Sequence, residues 1–212
     1  MVTKIYIVRH TQTVGNVEKR LTGRKDYEVT EEGKKYIGLL TERLRDTKFD
    51  KNYSSISGRA IKTIEPIAKL NHLSIETSED LCEMNFGKYD GMKWEEVNKI
   101  DPKIHEEHVK TNEIKGIEGQ ETSKEVATRM DHYIRSKAKE NEGKTILISS
   151  HGVAIEAFLR NITGEPFTEK REEYSQKNTS LNIVEYDTEK DKFQLVLQND
   201  IKHLENNKDS VK

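Results

Sequence analysis

The sequence predicts an α/β domain built on a mostly parallel sheet, and three observations carry that expectation. Short apolar runs such as Ile5-Tyr6-Ile7-Val8 and Thr145-Ile146-Leu147-Ile148 place apolar residues on both faces of a strand, which suits a strand covered by helices on each side. Between such runs lie segments whose apolar residues recur at helical spacing. Strands alternating with helices in this order give a layered α/β sheet.

The elements follow in chain order. Residues 5–8 form the first strand, which ends at Arg9 and His10. A polar stretch over 11–30 is broken at Gly15 and Gly23. Thr30, with Glu32 and Gly33, opens a helix carrying Tyr36, Leu39, Leu40 and Leu44 on one face and ending near Asp46. Residues 49–54 read as a second strand. Ser57 caps a helix through Ala60, Ile61 and Ile64, where Pro66 removes a backbone donor and predicts a kink or an early stop. Residues 73–76 make a weak strand. From 94 to 134 the pattern is helical and polar, with breaks at Pro102 and over 116–119, and 121–139 is its long helix. Residues 145–148 repeat the first strand's character, reach His151, and run into an apolar helix over 153–161. Strands over 181–186 and 193–197 close the sheet, and the charged tail from Ile201 frays. The expected organisation is one domain over 1–200 with a helical lid inserted at about 85–145, then a polar tail over 201–212. The chain shows no internal repeat or low-complexity linker.

Composition bounds the function. The chain has 212 residues, 36 basic and 38 acidic side chains and a net charge of −2. A chain of this size buries roughly 70% of its unfolded surface, so its core needs no disulfide or structural metal. Near-neutral charge argues against nucleic acid or an anionic membrane as partner. Cys82 stands alone, which excludes an intramolecular disulfide and a cysteine metal cluster and suggests a reducing compartment. The short apolar run near the N-terminus falls far short of a signal peptide, and no stretch approaches a membrane span. A cytoplasmic location is expected, so the Asn161-x-Thr triplet is read as an accident.

The chemistry is expected at the strand ends. Ligands of open parallel sheets bind beyond the carboxyl ends of the strands, and His10 and His151 each stand immediately after one of the two similar strands. If those strands are neighbours, the imidazoles share one crevice. Arg59 opens a helix after a third strand, where free N–H groups already favour anions. Arg9 adds a planar guanidinium able to grip phosphate oxygens by two bonds. An Arg-His pair alone is an ordinary surface feature; three strand ends supplying complementary groups define an anion pocket.

With these residues in view, the sequence resembles the histidine phosphatase superfamily, the phosphoglycerate mutase-like family. The resemblance is carried by Arg9-His10-Thr11-Gln12-Thr13 with Asn16, by Ser54-Ser55-Ile56-Ser57-Gly58-Arg59-Ala60 with Thr63, by Leu81-Cys82-Glu83 with Phe86-Gly87, and by Ser150-His151-Gly152. The motifs occur in the family's order across nearly the whole chain. The resemblance implies a three-layer α/β/α fold and His10 as a nucleophile that becomes phosphohistidine. It implies that Arg9, Arg59 and His151 surround the transferred phosphoryl group, with Glu83 as proton donor and Asp90 as a second acidic candidate. Asn16, Thr22, Gly23 and Gly152 are the implied substrate contacts. No metal or other cofactor is implied, because the arginines stand where other phosphoryl transferases use magnesium. Thr11 and Gln12 replace the usual glycine and glutamate; threonine would strain the turn if a positive φ were needed there, and the loop is expected to tolerate it. Ile64 and Pro66 depart from the pattern in ways that concern helix packing.

Other signals are weaker. His105 and His108 stand at helical spacing without a third ligand, as on a solvated helix face. Cys82 lacks a phosphate loop and reads as a packed thiol, and no nucleotide-binding fingerprint is present. Mutases of the resembled family carry Arg-His-Tyr-Gly after the acid and a longer basic insertion, whereas Glu83 here precedes Met84-Asn85-Phe86-Gly87 and the insertion is short and acidic. The resemblance therefore implies a metal-independent phosphomonoesterase acting on a small phosphorylated metabolite. A cofactor-dependent phosphoglycerate mutase and a noncatalytic phospholigand-binding protein stay open as alternatives. Tyr89, Met92 and Trp94 line a larger leaving group or form the lid's own small core. Oligomeric state is not legible.

Overall fold

The computed structural model describes residues 1–104, 106, 115–168 and 172–205. Its centre is a six-stranded sheet of β1 (Val2–Arg9), β2 (Lys51–Ser55), β3 (Ile75–Ser78), β4 (Thr145–Ser150), β5 (Leu181–Asp187) and β6 (Lys192–Asp200), in the order β3-β2-β4-β1-β5-β6. The pairs β3–β2, β2–β4 and β4–β1 are parallel. β5 and β6 join antiparallel, so the sheet is mixed and parallel where the site lies. The helices are α1 (Val14–Val17), α2 (Glu31–Arg43), α3 (Gly58–Leu70), α4 (Trp94–Ile100), α5 (Ser123–Glu140), α6 (Gly152–Thr163) and the short α7 (Lys202–Glu205).

The period-two alternation of the central strands builds two cores. Ile5, Ile7, Ile146 and Ile148 pack with Val126, Met130 and Ile134 of α5 and Ala154, Ile155 and Phe158 of α6. Val8 and Leu147, from the opposite faces of β1 and β4, pack with Leu40 of α2 and Ile64 and Ile67 of α3. The three-layer α/β/α expectation is met for this reason: strands apolar on both faces need helices on both.

Several local expectations change. The helix carrying Pro66 neither stops nor ends early; α3 continues to Leu70. Only the carbonyl of exposed Lys62 loses its usual helical donor, while Ile64 and Ile67 on either side of the proline are fully buried. β3 lies two residues later than expected, because Asn52 of β2 pairs with Ile75. A helical turn, α1, sits inside the polar stretch 11–30, closed by a Thr13–Asn16 capping box. The segment 85–145 divides in two. α5, capped by Thr122 with Glu125, contributes Val126, Ala127, Met130, Ile134 and Ala138 to the main core, and the stretch before it adds Phe86, Tyr89, Val97, Ile104 and Ile117 to the same core. At the start of the expected tail, α7 follows Ile201 and buries His203, and residues 206–212 lie outside the described residues. His105 and His108 lie outside the described residues. No helix among those described is long and apolar enough to cross a membrane.

Candidate active site

Parallel pairing of β1 with β4 sets Ile7 beside Ile148 and Arg9 beside Ser150. One step further along each strand stand His10 and His151, whose ring centroids are 5.1 Å apart. The sheet register alone therefore brings together two residues 141 positions apart.

Hydrogen bonding fixes the state of each ring. Nδ1 of His10 lies 2.6 Å from the Thr11 carbonyl oxygen. A carbonyl only accepts, so Nδ1 carries the proton and Nε2 holds the free lone pair. For His151 the arrangement is reversed: Nδ1 accepts from Arg59 Nη2 at 3.1 Å, and Nε2 donates to Ser55 Oγ at 2.7 Å. Burial, then the charges of Arg59 and Arg9, push the His10 imidazole well below its usual 6.5. Burial and Arg59 likewise lead the downward shift of His151. At neutral pH, His10 is an unprotonated nitrogen base among cations.

Arg59 is 1% exposed and sits in the first turn of α3. Nη1 donates to the Lys25 carbonyl at 2.6 Å and ion-pairs with Asp26 at 3.1 Å, and Nη2 also donates to the Gly23 carbonyl at 2.9 Å. The Asp26 carboxylate further accepts from the Gly58 N–H at 2.7 Å, at the positive end of the helix. Arg9 donates from Nη1 to the Gln176 carbonyl at 2.6 Å. Gly152, the first residue of α6, makes room for it: a Cβ there would stand 3.3 Å from Arg9 Cζ and Nε. Among the described residues, Nε of Arg9 and Nε of Arg59 are buried without a hydrogen-bond partner. Orphaned buried donors on two guanidinium groups are costly unless an anion completes them.

Arg9, Asn16, Thr22, Glu83 and Gly152 line one cleft of about 340 Å³, together with Arg20, Leu21, Phe86, Trp94, Val153, Glu156, Ser175 and Gln176. Asn16 has its Oδ1 occupied by Thr13 N–H and Oγ–H, at 3.0 Å each, and by Asn178 Nδ2 at 3.3 Å. Among the described residues no hydrogen bond engages its amide nitrogen. Glu83 is held by the N-terminus of α6: Oε1 accepts from Ala154 N–H at 2.9 Å and from Met84 N–H at 2.9 Å, and Oε2 accepts from Val153 N–H at 3.2 Å. Among the described residues no three His, Cys, Asp or Glu side chains are grouped as metal ligands.

The expected residues do not all serve alike. Gly23 is absent from the cleft lining, as are the buried His10, Arg59 and His151, and it supplies a carbonyl to Arg59. Its φ is +32°, and a Cβ would fall 1.6 Å from Asp90 Oδ1, so only glycine fits beside that carboxylate. Asp90 accepts from the Arg24 N–H at 3.0 Å and ties the loop down outside the cleft. Burial raises its pKa. Thr11 does not take a positive φ. It is buried, donating from its N–H to Thr63 Oγ at 2.9 Å and from its hydroxyl to the Gly33 carbonyl at 2.7 Å, so the loop accommodates threonine without positive φ. Of the aromatic and methionine trio, Tyr89 lies in the main core with Met92 and Trp94 packed against it, and Trp94 also lines the cleft. Cys82 is a buried thiol, as read.

Sequence reasoning did not single out Ser55, Asp26, Gln176 or Asn178. Ser55 was within reach, since it stands in the Ser54-Ser55 motif. Asn178, whose Nδ2 also donates to the His10 carbonyl at 3.1 Å, carries no sequence signal of its own.

Comparison with known proteins bears on this arrangement. The model of the histidine phosphatase superfamily (branch 1) matches residues 5–201. Among curated relatives, phosphoglycerate mutase-like protein 4 of Arabidopsis thaliana is 28% identical over 207 residues, 95% of this chain and 87% of that protein. Among solved structures, YhfR of Bacillus stearothermophilus superposes with a TM-score of 0.85 at 28% identity, covering 95% of this chain and 99% of that one. A mycobacterial glucosyl-3-phosphoglycerate phosphatase, 20% identical over 95% of this chain and 100% of its own, superposes at 0.82 and shares the fold.

Proposed function

The chain belongs to the histidine phosphatase superfamily, and on that premise we propose that it is a metal-independent phosphomonoesterase that hydrolyses a small phosphorylated metabolite through a phosphohistidine on His10. The observation that carries this reading is a His10 ring with Nε2 free, under the charge of two arginines whose buried Nε donors have no partner among the described residues.

The phosphoryl oxygens take the Nε–H groups of Arg9 and Arg59 and the Asn16 amide, which stabilise charge on the equatorial oxygens. His10 Nε2 attacks phosphorus as the ester P–O bond breaks. Glu83, protonated, gives its proton to the departing alkoxide. Oε1 of Glu83 already accepts two N–H bonds while Oε2 accepts one, so Oε2 has the lone pair to carry that proton. Water then attacks phosphorus, Glu83 takes a proton from it, and the N–P bond breaks to release phosphate and the free imidazole. The cations are supplied by arginine, so no divalent ion enters a step.

p-Nitrophenyl phosphate should be turned over in EDTA, with a phosphoenzyme that survives base and not acid. Normal hydrolysis by a His10→Ala variant would remove the reading. The name of the Arabidopsis relative favours a second one, phosphoglycerate mutase activity. Conversion of 3-phosphoglycerate to 2-phosphoglycerate, dependent on a bisphosphorylated primer and faster than phosphate release, would establish it instead.

A further inference from the structure

We infer that Arg129 and Glu121 form a bracket that positions the proton donor Glu83, and that they matter to proton delivery more than to phosphoryl capture. This rests on the reading of Glu83 as the general acid.

Glu83 lies in a loop without regular structure between Leu81 and Gly87. One side chain grips three carbonyls of this stretch. Arg129, on the mid-turn of α5, donates from Nη1 to the carbonyls of Asp80 at 2.7 Å and Cys82 at 2.8 Å, and from Nη2 to the carbonyl of Glu83 at 3.2 Å. Its Nε and the other Nη2 proton go to Glu121 at 2.8 and 3.1 Å. All five guanidinium N–H groups are thereby engaged. The carbonyl of Leu81, between those of Asp80 and Cys82, accepts from Ser150 Oγ at 2.8 Å. Four successive carbonyls are therefore anchored.

Glu121 completes the bracket at Asn85, two residues after Glu83. Its carboxylate accepts from Asn85 N–H at 2.8 Å, and its own N–H donates to the Asn85 carbonyl at 3.0 Å. The same carboxylate reaches Arg24 at 3.2 Å, which joins the loop bearing Thr22 to the loop bearing Glu83 across the cleft. Neither Arg129 nor Glu121 lines the cleft, and His10 and Arg59 are held by other partners. Both are positioning residues, and a lysine cannot replace Arg129, because a compact ammonium cannot span three carbonyls and a carboxylate.

Leaving-group dependence separates positioning from plain stability. An alkyl phosphate needs the acid to expel its alkoxide, whereas p-nitrophenolate leaves with little help. In Arg129→Lys and Glu121→Gln, turnover of an alkyl phosphate should fall on the order of 10-fold to 100-fold, with the pre-steady-state p-nitrophenolate burst within about threefold of the parent rate. Equal losses on both substrates, or no loss on either, overturn the proposal. Glu121→Gln, nearly isosteric, supplies the test if Arg129→Lys lowers the folded fraction, which a thermal melt reports. Glu83→Gln serves as the reference. If it leaves the alkyl-to-aryl ratio unchanged, the general-acid reading has failed; if it shifts the ratio and the bracket variants do not, the bracket alone is wrong.

Discussion

The buried cluster of His10, Arg59 and His151, the floor of the site, and the acidic wall at Glu83 are built by different physics. His10, Arg59 and His151 stand at or just beyond the ends of parallel elements, where the register of β1 on β4 and the first turn of α3 place them. Glu83 belongs to no strand or helix, and its position depends on side chains that grip backbone: Arg129 and Glu121 from one side, the N-terminus of α6 from the other. A position set by a backbone ladder is shared among many bonds. One set by a few side chains rests on each of them.

This contrast predicts a graded series of effects. The largest is at the floor. His10→Ala should lower turnover by ~10⁴-fold or more, abolish the phosphoenzyme and leave the fold intact. A residual rate within tenfold of the parent would end the distinction between floor and wall, since the nucleophile would lie elsewhere. Arg59→Ala comes next, at about 10²- to 10³-fold in rate. It also removes the hydrogen-bond donor to His151 Nδ1, so the ring's tautomer, read by NMR, should become mixed. A ring unaltered in that spectrum would show that the Arg59 contact does not set it.

A third test addresses the joint between floor and helix layer. Thr63→Val keeps the shape of the buried side chain and strands the N–H of Thr11, which should cost about 1–3 kcal/mol in chemical denaturation. An unchanged midpoint would mean that the loop after β1 relaxes freely, contrary to a rigid floor.

The mildest effects concern pH. Folded His10 and His151 sit well below 6.5, and His203, lowered chiefly by burial and then by Arg43, sits at about 4. In the unfolded chain all three take protons near 6.5. Between that pH and about 4 the unfolded state therefore binds more protons, and stability falls as pH falls. His203→Gln should flatten the lower part of that slope while leaving activity near pH 7 unchanged. An identical slope would place the titration in other groups. On the floor itself, the imidazole resonances of His10 should stay in the neutral form as the pH passes downward through 6.5.

Much of the floor was legible in the sequence. The two runs ending in Arg9-His10 and Ser150-His151 have the apolar pattern of strands buried on both faces, and Ser57 marks the start of a helix two residues before Arg59. Those signals are local, and one rule about ligands at strand ends joins them. The wall was legible only through resemblance, at Glu83. Asp90 and Gly23, read by the same route, proved to pack on one another outside the cleft.

Along the chain, apolar spacing and caps determined that strands end at His10 and His151 and that helices flank them, since each such pattern lies within a few residues of itself. Which polar side chains serve the site was decided by the folded structure. Arg129 reads as one more charged residue on a polar helix, and Asp26 and Asn178 as loop polars. Their roles arise because packing brings them within about 3 Å of carbonyls and rings distant in sequence, and a hydrogen bond acts only at that range.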